Sequence, residues 1–460
     1  MNKTQRSALI VAVISSFITP FMISSVNVAL PAIEAGFNGR GVSAVLLSWV
    51  ATSYLLAAGV SLLPMGRLAD IVGRKKIMGY GLAFSALASL FCSLAPDIIS
   101  LLFFRTVQGL GGGMIFGTSM AILTSVFPPR RRGRVIGLAV TSVYMGLMSG
   151  PFIGGLLTHY LGWRILFLTI FILGMIPLVL LYFYLEGEWA DAAGEEYDMV
   201  GLFLYVPSLI AIIYGVANLQ QLYGISAFGG GCCGFTIFVY RQKKTEYPLF
   251  KVDLFLRNKP FALSNAAALI HYSATFAITF LLSFYLQYIK GFDARMTGFI
   301  LITQPLMMVL FSATAGRLSD GIEPRILSSI GMAITAIVLF MLSFLGSDSS
   351  IPVLAGLLAV LGFGFAAFSS PNMNAIMGAV EPRYLGIAAG ASGTMRVLGQ
   401  VLSMGIATLI LALYVGDNII TLELYPDLLR SIRCAFIVFG VLCLVGLYAS
   451  LKRGKIHGKA

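Results

Sequence analysis

Three side chains that can carry a charge or a proton lie inside long apolar stretches of this 460-residue sequence. Arg105 comes about seven residues into one stretch, His271 about ten residues into another, and Arg396 about ten residues into a third. An intramembrane arginine costs about 2.5–3.5 kcal/mol on insertion scales, so it is a functional candidate by default. Imidazole titrates near neutral pH, so His271 can carry a proton or bind a polar ligand.

Each of the three residues also has a purely structural interpretation, and the sequence leaves both open. Arg105 can extend along its helix to a membrane surface, and Arg396 can bond backbone carbonyls or hydroxyls. A lone histidine such as His271 is often a satisfied core residue. No carboxylate stands well inside these stretches, because all 19 Asp and Glu residues lie in connections or at the ends of apolar runs.

The elements that carry these residues are apolar runs long enough to cross a membrane. Apolar types make up 58% of the chain and charged types only 11%, against about 25% in soluble proteins. Together with a mean hydropathy of +0.91, this composition excludes a water-soluble fold. The runs do not alternate as the strands of an outer-membrane barrel do. We predict fourteen spanning helices, near residues 7–31, 43–65, 77–95, 98–126, 135–158, 163–185, 199–218, 224–240, 260–289, 297–316, 325–345, 351–377, 385–414 and 431–451.

The placement of Lys and Arg predicts the orientation of these helices. With a cytoplasmic N-terminus, 23 of the 31 Lys and Arg residues fall in cytoplasmic segments and six on the other side. We therefore predict a multi-pass protein of the plasma membrane with both termini cytoplasmic. The net charge of +12 is then mainly a topology signal and indicates no nucleic-acid partner. We interpret the acidic residues 186–198 and the basic residues 241–259 as solvated linkers.

An internal repeat is visible in the sequence. Gly66–Asp70 recurs as Gly316–Asp320, and Arg134–Gly137 recurs approximately as Arg383–Gly386, at offsets of 250 and 249 residues. Both copies of each motif fall on the predicted cytoplasmic side, so the two repeats run parallel. Parallel repeats belong to transporters that hold their substrate near the bilayer midplane.

The repeat predicts a division of the chain into two six-helix halves with two helices between them. We expect an N-terminal half at residues 1–185 and a C-terminal half at residues 260–460. Residues 186–259 then hold an acidic linker, two further spans and a basic linker. No Cys-x-x-Cys pair and no P-loop occurs in the sequence, which therefore implies no metal, nucleotide or covalent cofactor.

Five segments of the chain resemble motifs of the major facilitator superfamily. Gly66–Lys76 is similar to its signature loop, and Leu102–Gly113 to its span-4 motif. Gly146–Gly155 resembles the antiporter motif of span 5. Asn27–Pro31 and Pro248–Phe255 resemble segments of the fourteen-span drug:proton antiporters.

The resemblance implies an all-α membrane protein with the major facilitator fold. It also implies a secondary active transporter that exports hydrophobic drugs or toxic amphipaths against protons by alternating access. The expected partners are a small hydrophobic or amphipathic substrate, protons and the lipid bilayer, and the expected state is a monomer.

The candidate site residues follow from these motifs and from the predicted spans. Those for proton coupling or conformational change are Asp70, Arg105, His271 and Arg396. The signature segment contributes Gly66, Asp70, Gly73 and Arg74. The antiporter motif contributes Gly146, Gly150, Pro151, Gly154 and Gly155, which in the family pack across the interface of the halves and seal the cavity. The cavity candidates are Thr19, Asn27, Gln108, Met114, His271, Tyr272, Phe365 and Asn372.

The sequence departs from the family pattern in span 1. The family usually has an aspartate five residues before the asparagine, whereas this chain has Met22 five residues before Asn27. Embedded carboxylates are the usual proton carriers and cation partners of pumps. We therefore expect neutral, weakly cationic or anionic amphipaths as substrates rather than dications.

Two alternatives to a drug exporter remain open. One is a dedicated carrier of a single metabolite or organic anion, which a narrow substrate profile would distinguish. The other is a membrane sensor that transports nothing, and such proteins often carry an appended domain. An enzyme is not expected, because no nucleophile–base pair or metal-ligand constellation is evident in the sequence.

Overall fold

Helices make up almost all of the described chain. The computed structural model of the protein describes residues 3–37, 42–219, 221–250, 252–381, 385–416, 418 and 420–454, and no β-strand occurs in these ranges. The first nine helices are α1 (Lys3–Gly36), α2 (Ala44–Val72), α3 (Arg74–Ser93), α4 (Ile98–Val126), α5 (Pro129–Leu161), α6 (Trp163–Tyr184), α7 (Met199–Ala217), α8 (Leu222–Gln242) and α9 (Val252–Arg257). The remaining helices are α10 (Lys259–Thr275), α11 (Ile278–Phe284), α12 (Ala294–Leu301), α13 (Thr303–Gly321), α14 (Pro324–Leu342), α15 (Ile351–Gly378), α16 (Leu385–Tyr414) and α17 (Tyr425–Lys452).

Fourteen helices or helix runs in the described ranges are long and apolar enough to cross a membrane. They coincide with the predicted runs and confirm the all-α membrane fold. The ninth span, Lys259–Ile289, joins α10, α11 and a π-helical turn at Tyr285–Ile289. The first span continues to Gly36, beyond the predicted end at residue 31, so that Glu34 lies in its last turn.

Several helices begin at a polar residue whose side chain caps the first turn. Asp97 accepts a hydrogen bond from the Ser100 backbone N–H at 2.8 Å and forms a capping box at the start of α4. Asp293 caps α12 and Asn258 caps α10 in the same way. Such caps satisfy backbone donors that would otherwise lack a partner. This role explains why some of the few acidic residues lie at helix ends.

The chain folds as two compact units. Unit 1 comprises Met1–Ile23, Trp49–Leu147 and Leu161–Asp253. In this unit α3 packs on α4 and α6, and α7 packs on α8. The Tyr205 hydroxyl of α7 donates to the Gly59 carbonyl of α2 at 3.2 Å, so the α7–α8 pair is attached to the rest of the unit by a buried hydrogen bond.

Unit 2 comprises Ser24–Ser48, Met148–Tyr160 and Leu254–Ala460. In this unit α15 packs on α13 and α14, while α10 packs on α16 and α17. The expected division at residues 185 and 260 stays a prediction. Arg383, part of the second repeated motif, lies outside the described residues.

Candidate functional site

The Arg105 side chain is buried inside unit 1 and does not extend to a surface. It is 1% exposed, and its Nε–H donates to the Val50 carbonyl at 2.9 Å. One terminal nitrogen donates to the Gln108 side-chain oxygen. The guanidinium carbon lies 4.6 Å from the centroid of the Tyr54 ring, within the range of a cation–π contact.

All these partners of Arg105 are neutral. Gln108, whose oxygen accepts from Arg105, uses its amide nitrogen to donate to Ser89 Oγ at 2.6 Å and to the Met22 sulfur at 3.5 Å. Among the described residues no carboxylate lies in ion-pair range of Arg105. The positive charge is therefore held by two hydrogen-bond acceptors and an aromatic face, none of which neutralises it.

The glycines of the span-4 motif let α4 approach α2 at this point. A Cβ atom on Gly112 would overlap the Tyr54 hydroxyl, and one on Gly109 would overlap the Tyr54 carbonyl. Glycine at these positions therefore allows the Tyr54 ring to lie against Arg105.

The antiporter motif on α5 packs closely on neighbouring backbones. In unit 1, a Cβ on Gly146 would overlap the Phe17 carbonyl. In unit 2, a Cβ on Gly154 would lie 2.6 Å from Ser25 Cβ and 2.9 Å from its Cα. A Cβ on Gly150 would overlap the Ser24 hydroxyl, so small residues are needed along this face of α5.

The same face contains a reciprocal contact between two glycines in unit 2. A Cβ on Gly155 would overlap the Ala294 carbonyl of α12, and a Cβ on Gly298 would overlap the Pro151 carbonyl of α5. Pro151 lies inside α5, where it removes a backbone donor. The two helices therefore approach each other through glycine on both sides.

His271 lies in a group of aromatic rings in unit 2. Its ring centroid is 4.0 Å from that of Phe368, 4.9 Å from Phe365 and 5.8 Å from Tyr272. The side chain is fully buried, and within the described chain neither ring nitrogen has a hydrogen-bond partner. Three of the cavity candidates thus come together here, and Phe368 is a member that sequence reasoning missed.

Asn372 belongs to a different cluster of unit 2. Its side-chain oxygen accepts from Arg453 at 2.6 Å, and its nitrogen donates to the Ser264 carbonyl at 3.1 Å. Arg453 is fully buried and also donates to Ser328 Oγ at 2.8 Å. Burial lowers the pKa of Arg453 to about 10. From the sequence, Arg453 is only one of the basic residues near the C-terminus, and its burial could not be predicted.

The remaining cavity and coupling candidates are Thr19, Asn27, Met114 and Arg396. Thr19 bonds the Ser15 carbonyl of its own helix at 3.1 Å. Asn27 is buried, and its side-chain oxygen has no partner in the described ranges. Met114 on α4 and Arg396 on α16 are both partly buried.

The signature segment contains less loop than the sequence suggested. Gly66 and Asp70 lie in the last turns of α2, and only Gly73 separates α2 from α3. Gly73 has a φ of 128°, so its turn requires glycine. Gly66 is helical and a Cβ there would meet nothing within 4 Å, so neither a turn nor close packing requires glycine at this residue. The repeated copy, Gly316–Asp320, likewise lies in the last turns of a helix, α13.

Asp70 and Arg74 form the centre of the signature segment. The Asp70 carboxylate lies 2.7 Å from one terminal nitrogen of Arg74, and Arg74 Nε also donates to it at 2.9 Å. A second terminal nitrogen of Arg74 lies 2.8 Å from the Asp191 carboxylate and also bonds Ser125. Arg74 therefore joins α2, α4 and the acidic connection that follows α6.

This acidic connection, residues 186–198, is packed on unit 1 and is called the acidic strap below. Glu188 accepts from the backbone N–H of Lys75 at 2.8 Å and of Lys76 at 3.3 Å, so it binds the N-terminus of α3. The Trp189 carbonyl accepts from Arg74 N–H at 2.9 Å, and its side chain packs on a core that includes Met78. The predicted linker is therefore docked on neighbouring helices, although seven of its thirteen residues are exposed.

Asp198 anchors the far end of the acidic strap. Burial alone would raise the pKa of its carboxyl group, but bonds from the Gly201 N–H, Gln242 and Arg241 outweigh burial and hold the pKa below its usual range. Those bonds measure 2.8, 2.7 and 2.5 Å. The strap thus connects the signature segment to α7 and α8.

Replacing Glu188 by alanine tests the strap. Glu188→Ala removes the carboxylate at the N-terminus of α3, which costs about 1 kcal/mol. We expect the midpoint of thermal unfolding in detergent to fall by about 2 °C. The matched control is Glu196→Ala, which removes an exposed acid of the same strap. Equal midpoints for the two variants would contradict the capping role.

Adding one methyl group to the α5 face tests the close packing. In Gly154→Ala the new Cβ meets the Ser25 backbone, and overpacking of this kind costs about 1–3 kcal/mol. We expect a lower unfolding midpoint than in the control Gly137→Ala, because a Cβ at Gly137 meets nothing within 4 Å. Unchanged stability of Gly154→Ala would show that α5 is not held closely at this point.

Comparison with known proteins agrees with this architecture. Residues 12–249 and 263–459 match the Major Facilitator Superfamily. The chain is 29% identical over 397 residues to the riboflavin transporter RibZ of Clostridioides difficile, covering 86% of this chain and 85% of that protein. It is 30% identical over 385 residues to a multidrug resistance protein B homolog of Mycobacterium tuberculosis, covering 82% and 70%.

A solved structure shows the same fold at low sequence identity. The human organic anion transporter MFSD10 aligns with a TM-score of 0.63 and 13% identity, covering 97% of this chain and 99% of the other. The matched residues, the fourteen candidate spans and the fold agree with one another. The chain is therefore a membrane transport protein that belongs to the Major Facilitator Superfamily.

Proposed function

We propose that this transporter is a proton-coupled exporter of hydrophobic amphipaths, a fourteen-span drug:proton antiporter of the plasma membrane. It acts as a monomer by alternating access between halves 1–185 and 260–460, and both termini are cytoplasmic. The observation that carries the proposal is the close packing of the glycine face of α5 on α1 and α12. This packing explains why the segment that resembles the antiporter motif requires glycine along one face of α5.

The charge of Arg105 supports the second part of the proposal, the substrate class. Its guanidinium is buried, and its partners within the described ranges are neutral. A buried positive charge repels a cation more strongly where the surrounding dielectric is low. We therefore assign neutral, weakly cationic or anionic amphipaths as substrates and disfavour dications.

A second candidate function is a dedicated carrier of one flat metabolite. RibZ, a relative of similar length, is named a riboflavin transporter. The rings of Phe365, Phe368 and Tyr272 around His271 offer faces on which a planar ring system can stack, as aromatic pairs do. A transporter that moves riboflavin and none of the unrelated dyes would favour this candidate.

Transport in proteoliposomes with an imposed pH gradient tests these proposals. Ethidium and propidium share one ring system and differ by one positive charge, riboflavin is neutral, and fluorescein is anionic. We expect gradient-dependent movement of several of these compounds, abolished by a protonophore, with ethidium moved about tenfold faster than propidium, which corresponds to about 1.4 kcal/mol. Folded protein that moves none of the four would contradict the exporter assignment. Equal rates for ethidium and propidium would contradict only the charge argument.

Placing a carboxylate beside Arg105 tests the charge argument further. Gln108→Glu supplies the missing partner and neutralises the guanidinium, so we expect the preference for ethidium over propidium to fall severalfold. Gln108→Ala is the control, since it removes the same amide and adds no charge. The measurement is the ratio of the two dye rates. An unchanged ratio in Gln108→Glu would show that Arg105 does not select substrate charge.

A further inference from the structure

Glu34 is a carboxylate in the last turn of the first span and is half-buried. Three other acids lie within the described candidate spans, and their surroundings differ. Asp70 pairs with Arg74, Asp427 pairs with Arg430, and Glu423 is exposed. Glu34 instead accepts a hydrogen bond from the hydroxyl of Tyr288 in the π-helical turn of unit 2.

The π-helical turn holds α1 through two consecutive side chains. Tyr288 binds the Glu34 carboxylate, and Gln287 donates to the Val28 carbonyl of α1 at 2.9 Å. Gln287 also donates to Ser283 Oγ at 2.9 Å, which fixes its amide. Single π turns within α-helices occur often at functional sites. This turn widens the helix where both side chains face α1.

The charged and titratable groups around this contact have partners of their own. Tyr425 of α17 packs edge-on against Tyr288, with ring centroids 6.5 Å apart. Lys290, which follows the π turn, donates to the Ser347 carbonyl at 2.5 Å.

On α17, Arg430 pairs with Asp427 and Arg433 donates to the Leu345 carbonyl. Charged groups beside α5 and α12 are also engaged. His159 of α5 lies 3.4 Å from the Asp293 carboxylate, and Arg295 donates to the Tyr160 hydroxyl at 3.0 Å. Within the described ranges no Lys or Arg forms an ion pair with Glu34. Among the described residues a phenol O–H and no cation therefore contacts the Glu34 carboxylate, and the strength of this hydrogen bond depends on whether the carboxylate is ionised.

We propose that Glu34 carries the coupled proton and that Glu34, Tyr288 and Gln287 form a latch between α1 and the ninth span. This inference rests on the proposed function. When Glu34 is ionised, the Tyr288 O–H donates to a carboxylate, and such a charge-assisted bond is about twice as strong as a neutral one. When one proton binds to the Glu34 carboxylate, its charge changes from −1 to 0 and Tyr288 keeps its own proton. The bond then weakens and the latch opens.

The position of the latch suits inward proton movement. With the N-terminus cytoplasmic, as proposed, the end of α1 that carries Glu34 faces the outer side of the membrane. Protons driven inward therefore reach Glu34 before they enter the deeper part of the protein. The latch also supplies a titratable carboxylate on the first span. This chain has Met22 at the position where the fourteen-span antiporters usually have an aspartate.

The test compares two transport modes of Glu34→Gln in proteoliposomes, with ethidium and riboflavin as probes. Gradient-driven accumulation requires proton coupling, whereas exchange of labelled for unlabelled probe without a gradient does not. We expect Glu34→Gln to retain exchange, to lose accumulation at least tenfold, and to show a flat pH profile of exchange. Glu34→Asp should restore part of the accumulation. The control is Glu423→Gln, which removes an exposed acid of the same unit and should behave like the wild type.

The pH profile of Tyr288→Phe gives an independent readout that does not remove the carboxylate. Loss of the phenol destabilises ionised Glu34, so we expect the midpoint of the profile to move to higher pH. This variant decides the question if Glu34→Gln does not fold. Wild-type accumulation in Glu34→Gln, or an unshifted pH profile in Tyr288→Phe, overturns the assignment of the proton site to Glu34 and leaves the proposed function standing. Absence of gradient-driven accumulation in the wild type overturns the proposed function and this inference together.

Discussion

The Arg105 guanidinium remains charged inside a protein that offers it no carboxylate in the described ranges. Burying a cation costs a large free energy unless hydrogen-bond acceptors surround it, so the residues that pack around Arg105 are constrained. The Val50 carbonyl and the Gln108 oxygen accept its hydrogen bonds, and the Tyr54 ring covers one face. Gln108 can accept because its own nitrogen is bound by Ser89 and Met22. The glycines of α4 belong to the same arrangement, because any larger residue would displace Tyr54.

The second constraint is the sparse use of acidic side chains. The acidic side chains of the acidic strap bind helix N-termini and an arginine within unit 1. Glu188 binds the start of α3, Asp191 pairs with Arg74, and Asp198 binds the start of α7. The signature segment is therefore attached to the α7–α8 pair through a connection that holds its own charges in place. Through this connection α7 and α8 are linked to the surroundings of the signature segment.

The spans could be predicted from the sequence because hydropathy averages over about 20 residues. The depth of Arg105 followed from the same runs, since α4 begins at Ile98 as expected. The partners of Arg105 could not be predicted, because Val50 and Tyr54 are distant in sequence and meet it only through helix packing. The helix ends were also missed. Caps and tertiary contacts set them: hydropathy places the end of the first span at residue 31, whereas α1 continues to Gly36 and includes Glu34. The docking of the acidic strap could not be predicted, because charge density alone does not reveal a backbone partner.

We expect drug movement and proton movement to be linked in this protein. Proteoliposomes with an acidic lumen that contains pyranine test it most directly, because the dye reports luminal pH while a substrate is added outside. We expect ethidium to raise the luminal pH faster than the passive proton leak does, and protein-free vesicles to show no such change. Ethidium uptake without any protein-dependent change in luminal pH would contradict proton coupling.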